Sequence, residues 1–318
     1  MNRFAIVLGD PNSINIEILA KSNALKKNCI IIGSYNLLIA QLKKIKLKRK
    51  VIKINTMKNY KNIKNTLTVL DIPLKFKNPF NVAPESSIIY LKKSFNLAHS
   101  LSKSKSIKGF INCPINKKIF FKNKNIGVTE YLSSKNMIKQ ESAMLIYNEK
   151  LSVVPITTHI KVKDISKKLS KKIILNKVIT INRFYKKYFK KRPKICLLGL
   201  NPHNYELRKN SEEKKLIIPC INILKNKMNI SGPLAPDTVF IKDNIKNFDI
   251  IIGMYHDQVL TPFKALFGFD AANITLGLPY IRMSPDHGVG SDKRGLRISN
   301  PQSLNKCLKI ISNIKING

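Results

Sequence analysis

The sequence predicts an α/β protein built on a largely parallel sheet. Three observations predict it. Short apolar, β-branched runs alternate with longer amphipathic stretches along all 318 residues, the rhythm of βα units. Polar motifs follow directly on several of the apolar runs, where open α/β sheets bind their ligands. Leu, Ile, Val and Phe recur throughout a chain that is 43% hydrophobic, so there is material for a real core and no disordered composition.

In chain order, the strands are expected at Phe4–Leu8, Cys29–Ile32, Gly109–Asn112, Ser152–Ile156, Ile195–Leu198 and Asp249–Ile252. Each is a short apolar run bounded by polar or turn-forming residues. Helices are expected at Ser13–Lys21, Ser86–Leu101, Ile165–Phe189, Glu212–Asn226 and Pro301–Ile314, where apolar residues recur at helical spacing. The last opens on a proline, a good helix start because the missing N–H has no intrahelical partner there.

Composition excludes several classes. No apolar run approaches the roughly 18 residues of a spanning helix. The N-terminal apolar run is too short for a signal peptide, so a cytoplasmic protein with no membrane partner is expected. The 58 Lys+Arg against 18 Asp+Glu give a net charge of +40, which ordinarily suggests a polyanion partner. Only eight of those cations are Arg, and specific nucleic-acid readers lean on the arginine fork. Gly is scarce, Trp is absent and Lys and Asn abound, the signature of AT-biased coding. The excess lysine is therefore read as solvated surface, with no specific nucleic-acid partner. Cys29, Cys113, Cys196, Cys220 and Cys307 are dispersed and odd in number, which argues against a disulfide framework or a thiolate zinc site.

Three of the five histidines share one context, a β run that ends in a short polar loop. They are His159 after Val153–Ile156, His203 after Cys196–Leu198, and His256 after Ile251–Gly253. Residues at the carboxyl ends of parallel strands can converge from distant parts of a chain. Three neutral imidazoles with an open position make a catalytic divalent-metal site, most simply for zinc. Three independent loop or core histidines are the alternative. Asp237 and Asp257 are loop acids suited to proton transfer or to orienting the histidines. Lys264 and Arg282 could bracket a phosphate or carboxylate.

These motifs resemble a family. Gly199-Leu200-Asn201-Pro202-His203, Met254-Tyr255-His256-Asp257-Gln258, Thr275–Pro279 and Ser284–Gly288 are similar to those of the 4-hydroxythreonine-4-phosphate dehydrogenases of pyridoxal phosphate biosynthesis. Gly9-Asp10-Pro11, Cys113–Lys117, Thr129-Glu130, Thr157-Thr158-His159 and Asp237-Thr238 match in order from end to end. The resemblance implies two α/β/α domains with a cleft, akin to the isocitrate and isopropylmalate dehydrogenases. One domain would be discontinuous (1–125 and 285–318), with the Gly-Asp-Pro loop and the cofactor loop. The other (126–284) would carry the histidines and the dimer contacts. The resemblance further implies a divalent metal (zinc, magnesium or cobalt) on His159, His203 and His256, the last supplied by the partner in a homodimer with a shared active site. Substrate contacts fall on Thr129, Lys264, Asn273 and Arg282, and NAD or NADP contacts on His287, Gly288 and Asp292. The implied reaction oxidises 4-phosphohydroxy-L-threonine, a small phosphorylated amino acid, at C3.

The chain departs from the family at several positions. Val128 replaces a substrate-contacting histidine. Asn12–Ile16, Asn204-Tyr205, Val259 and Arg297 stand where the family pattern differs, mostly by the loss of glycine. Non-glycine residues at positions needing positive φ would be strained by about 1 kcal/mol each. Two alternatives follow: a dehydrogenase for another phosphorylated hydroxy acid (a threonate or erythronate phosphate), or a catalytically decayed polycationic binding protein.

Overall fold

The chain divides into two compact units, the first made of Met1–Asn125, Phe269–Ala272 and Pro279–Gly318, the second of Ile126–Gly268 and Asn273–Leu278. The structure, a computed structural model, describes residues 3–25, 28–61, 63, 65–121, 127–138 and 142–314. The expected domain edge at 125/126 lies outside the described residues.

The first unit is built on strands β1 (Phe4–Val7), β2 (Cys29–Gly33), β3 (Lys50–Ile54), β4 (Thr66–Asp71) and β5 (Gly109–Asn112), joined by β12 (Ile281–Pro285) from late in the chain. Their order is β3-β4-β2-β1-β5-β12, and every pairing is parallel. β1 and β5 are buried along their whole length, as apolar strands covered on both faces must be. The helix Gln302–Asn313 buries Leu304, Cys307, Leu308 and Ile311, the i, i+3, i+4, i+7 stripe of an amphipathic helix.

The second unit contains β6 (Ala143–Tyr147), β7 (Ser152–Pro155), β8 (Ile195–Leu198), β9 (Ile230–Leu234), β10 (Ile250–Gly253) and β11 (Ala272–Leu276). They run in the order β11-β6-β7-β10-β8-β9. β7, β10, β8 and β9 are mutually parallel, and β6 is antiparallel to β7. The fold is therefore α/β with largely parallel sheets.

Two expected helices are broken. Ile165–Phe189 becomes a turn at Ile165–Lys168 and a helix at Lys171–Phe184. Ser170 separates them by accepting a hydrogen bond from Ile173 N at 3.3 Å, a serine N-cap. In Glu212–Asn226, a π turn at Glu213–Ile217 precedes the helix Ile218–Leu224. Pro219 lies in that first turn and has no N–H to continue the earlier ladder. All five cysteines are free, and burial pushes the Cys113 and Cys196 thiols up to about 12 and Cys220 to about 11. Such thiols are poor nucleophiles. Among the described residues no helix is long and apolar enough to cross a membrane.

Candidate active site

In the second unit, β7 and β10 are parallel neighbours whose last pair is Pro155 with Gly253. Both chains turn off at the same sheet edge. Ile156 N donates to Gly253 O at 2.8 Å, Thr157 N to Met254 O at 3.1 Å, and Thr157 Oγ1 to Met254 O at 2.7 Å. This stitching brings the His159 and His256 rings to a centroid separation of 5.9 Å. His256 begins the helix His256–Phe267, and its Nδ1 lies 2.7 Å from Asp257 Oδ1. An Nδ1–H donated to that carboxylate turns the Nε2 lone pair outward, as a metal-binding imidazole requires.

Gly127 leaves space beside this pair. A Cβ there would collide with Glu130 Oε2 and lie 3.6 Å from His159 Nε2. Glu130 Oε1 accepts from Thr158 Oγ1 at 3.3 Å. Lys177 Nζ donates to Ile156 O at 2.7 Å, and loss of water lowers its pKa to about 8, against the opposing pull of Glu130. Two imidazoles, an open flank and an oriented His256 suit a divalent metal, but they are only part of a coordination set.

His203 does not join them. Among the described residues no three His, Cys, Asp or Glu side chains form a metal-holding group. Adjacent β7 and β10 bring the His159 and His256 rings near one another within the chain. His203 instead stands exposed in a run of positive φ, from His203 at 49° to Leu207 at 56°.

The other expected residues fall on both units. Thr129 Oγ1 lies 3.0 Å from Thr275 Oγ1, on the strand that also carries Asn273. Asn273 Oδ1 is buried without a hydrogen-bond partner among the described residues, an orphan acceptor that suits a ligand donor. Lys264 is half-buried two turns beyond His256. Asp237 is exposed on the short helix Pro236–Val239. In the first unit, Arg282 is buried on β12, and its Nε donates to Asn112 Oδ1 at 2.6 Å. His287 Nδ1 lies 2.8 Å from Gly288 O, and a Cβ at Gly288 would meet open space. Asp292 is exposed in the turn Ser291–Lys293.

Sequence reasoning missed Asn112, Glu213, Gln258 and Lys177 as site-supporting residues. Gln258 could have been found from its place beside His256-Asp257. Glu213 gave no signal, because Glu212–Lys215 reads as a charged, solvated helix face.

Val128, the first residue of the helix Val128–Lys135, is buried. It offers no polar group where the family pattern has a histidine.

The family model of the pyridoxal phosphate biosynthetic protein PdxA matches residues 25–311. A 4-hydroxythreonine-4-phosphate dehydrogenase of Sulfurihydrogenibium sp. (strain YO3AOP1) is 37% identical over 320 residues, 98% of this chain and 97% of its own. The protein of that name from Aquifex aeolicus (strain VF5) is 37% identical over 302 residues, 91% of each chain. The crystal structure of 4-hydroxythreonine-4-phosphate dehydrogenase from Klebsiella pneumoniae superposes with a TM-score of 0.84 at 28% identity, covering 98% of both chains. With the model spanning most of its length and relatives of this identity matching from end to end, the chain belongs to the PdxA family of pyridoxal phosphate biosynthetic proteins.

Proposed function

We propose that this chain is a 4-hydroxythreonine-4-phosphate dehydrogenase. It would oxidise 4-phosphohydroxy-L-threonine at C3 with NAD or NADP and a divalent metal, giving a β-keto acid that loses CO₂ to leave 3-amino-2-oxopropyl phosphate. The observation that carries the reading is the His159–His256 pair at the shared edge of β7 and β10, in a chain similar to such dehydrogenases along its whole length.

Oxidation removes a hydride from C3, taken up by the nicotinamide, and a proton from the C3 hydroxyl. His159 and His256 would hold the metal, with His203 completing the set in a homodimer that shares its active site. The metal, when bound, supplies Lewis-acid polarisation of the C3 oxygen. Asp257 orients His256 through its Nδ1 and, being exposed, can pass a proton to water. Asp237 is the second candidate for proton transfer. Thr129 and Asn273 offer polar contacts to substrate, and Lys264 and Arg282 supply charge for the phosphate or carboxylate. Arg282 is pre-oriented by Asn112. The open backbone at Gly288, with His287 and Asp292, forms the nicotinamide-cofactor loop in this reading.

One observation favours a second reading. Val128 is buried and apolar, so a contact to a charged substrate group is lost, worth about 1.5–3 kcal/mol or tenfold to a hundredfold in binding. A dehydrogenase for threonate or erythronate phosphate would account for that loss. The test is reduced-nicotinamide formation from 4-phosphohydroxy-L-threonine and from these two acids, with metal supplied and then chelated. Turnover of the first substrate that chelation abolishes is expected. Turnover only of another acid moves the assignment to it, and silence from folded, metal-loaded protein overturns both.

A further inference from the structure

We infer that Glu213 is a positioning residue that fixes the His203 turn, through a carboxylate spent on the backbone of the segment leading into it. The inference rests on the proposed role of His203 as a ligand.

Glu213 is fully buried, yet its carboxylate points to no cation in any described ion pair. Its Oε1 accepts from Leu200 N at 2.8 Å and Asn201 N at 2.9 Å, and Asn201 Nδ2 reaches both of its oxygens at 3.2–3.3 Å. Asn201 Nδ2 also donates to Glu212 Oε2 at 2.9 Å. A carboxylate buried this deeply is costly unless hydrogen bonds satisfy it, and here every one of them goes to the two residues before Pro202-His203. On the other side, Gln258 Nε2 donates to Gly199 O at 2.7 Å while its Oε1 accepts from Met254 N at 2.7 Å. The segment is held from both flanks.

The reason for such holding lies in the next five residues. His203, Asn204, Tyr205, Glu206 and Leu207 all have φ between 48° and 56°, a left-handed run without a glycine. Each costs about 1–2 kcal/mol relative to right-handed backbone. Strain of this kind persists only where the surroundings over-determine the conformation, and it collects at functional sites. Glu213 clamps the entry to the run, and Asn204 Nδ2, donating to Pro233 O at 3.1 Å, pins its second residue.

The test uses the full chain with histidine labelled in its ring nitrogens. The His203 resonances are identified by their absence in His203→Gln. In Glu213→Gln, where one acceptor oxygen becomes a donor facing Asn201, the His203 resonances should shift or broaden in metal-free protein. The Co²⁺ dissociation constant should rise tenfold or more, the usual effect of losing a residue that orients a ligand. Asn201→Ala, at a half-buried position, should move both readouts in the same direction if Glu213→Gln fails to fold. A residue that merely stabilised the fold would lower the melting temperature and leave both readouts within twofold of the parent. That result would overturn the inference. A moved resonance with unchanged Co²⁺ binding upholds the positioning and counts against His203 as a ligand, which separates this inference from the reading beneath it.

Discussion

Lys177 shows how a single side chain can cost stability beside a site. Burial lowers its pKa from 10.5 to about 8, and Glu130 offsets only part of that. Below pH 8 both folded and unfolded chains carry the proton, and the folded chain bears the full desolvation cost. Between pH 8 and 10.5 the folded state has released its proton while the unfolded state has not, so stability from this group rises with pH. Removing the charge should therefore help most at neutral pH. Lys177→Met should gain up to about 3 kcal/mol from desolvation at pH 7. It should lose about 1 kcal/mol through the Ile156 carbonyl left without its donor. Urea unfolding at pH 7 should show a net gain, shrinking towards pH 10. A loss at pH 7, or a gain independent of pH, would contradict the argument. The histidine pair at this scale was legible in the sequence, because both residues follow apolar runs at one topological position. Lys177 was not legible. In a chain with 58 cations, nothing in the letters distinguishes the lysine whose amine is drawn inward from those in water.

Half of the strands were legible; β4, β6, β11 and β12, although buried along most of their length, were not picked out. β1, β2, β5, β7, β8 and β10 centre on short apolar runs, and sequence reading and structure agree on them to within a residue or two. β3, with the sequence Lys-Val-Ile-Lys-Ile, buries only its last residue and so lacked a clear apolar run. β9 contains Gly232-Pro233, which reads as a turn. The loss of glycines was legible as a source of strain, and the backbone gives it a place. Arg297 has φ of 63°, and its carbonyl accepts from Lys21 Nζ at 2.6 Å, alongside Ser299 O at 3.1 Å. That grip holds the backbone left-handed whatever the side chain. Arg297 is itself exposed, so little packing is lost when it is removed. Arg297→Gly should stabilise the chain by about 1 kcal/mol and raise the melting temperature by about 2 °C. Arg297→Ala should give no such gain, because alanine keeps the Cβ that opposes positive φ. Equal melting shifts for the two variants would show that the side chain, and not the backbone angle, carries the cost. Asn15 is held through its amide nitrogen, which donates to Leu8 O and Pro114 O at 2.9 Å each, while its buried Oδ1 has no partner among the described residues.

At the scale of the whole molecule, the net charge of +40 was the loudest feature of the sequence and says least about the proposed chemistry. Assembly decides more. The proposed shared site needs all three histidines. The family resemblance has the partner supply His256, while a site whose partner supplied His203 would keep together the two rings that stand 5.9 Å apart in one chain. That makes a sharp prediction for mixed dimers. His203→Ala and His256→Ala should each be inactive alone. In a heterodimer, one site then keeps an intact set of three, whichever of His203 and His256 the partner supplies. The second site loses two ligands. Purified heterodimers should thus recover about half of the parent activity, one working site of two in a symmetric dimer. His159→Ala with His256→Ala tells the two arrangements apart: if the partner supplies His203, each chain spoils its own pair and both sites fail. If the partner instead supplied His256, as the family resemblance implies, this second mixture would recover as well as the first. Recovery in both heterodimers, with His256 drawn from the partner, is the expected outcome. Recovery in the first alone would make His203 the partner's contribution, and recovery in neither would remove the shared site.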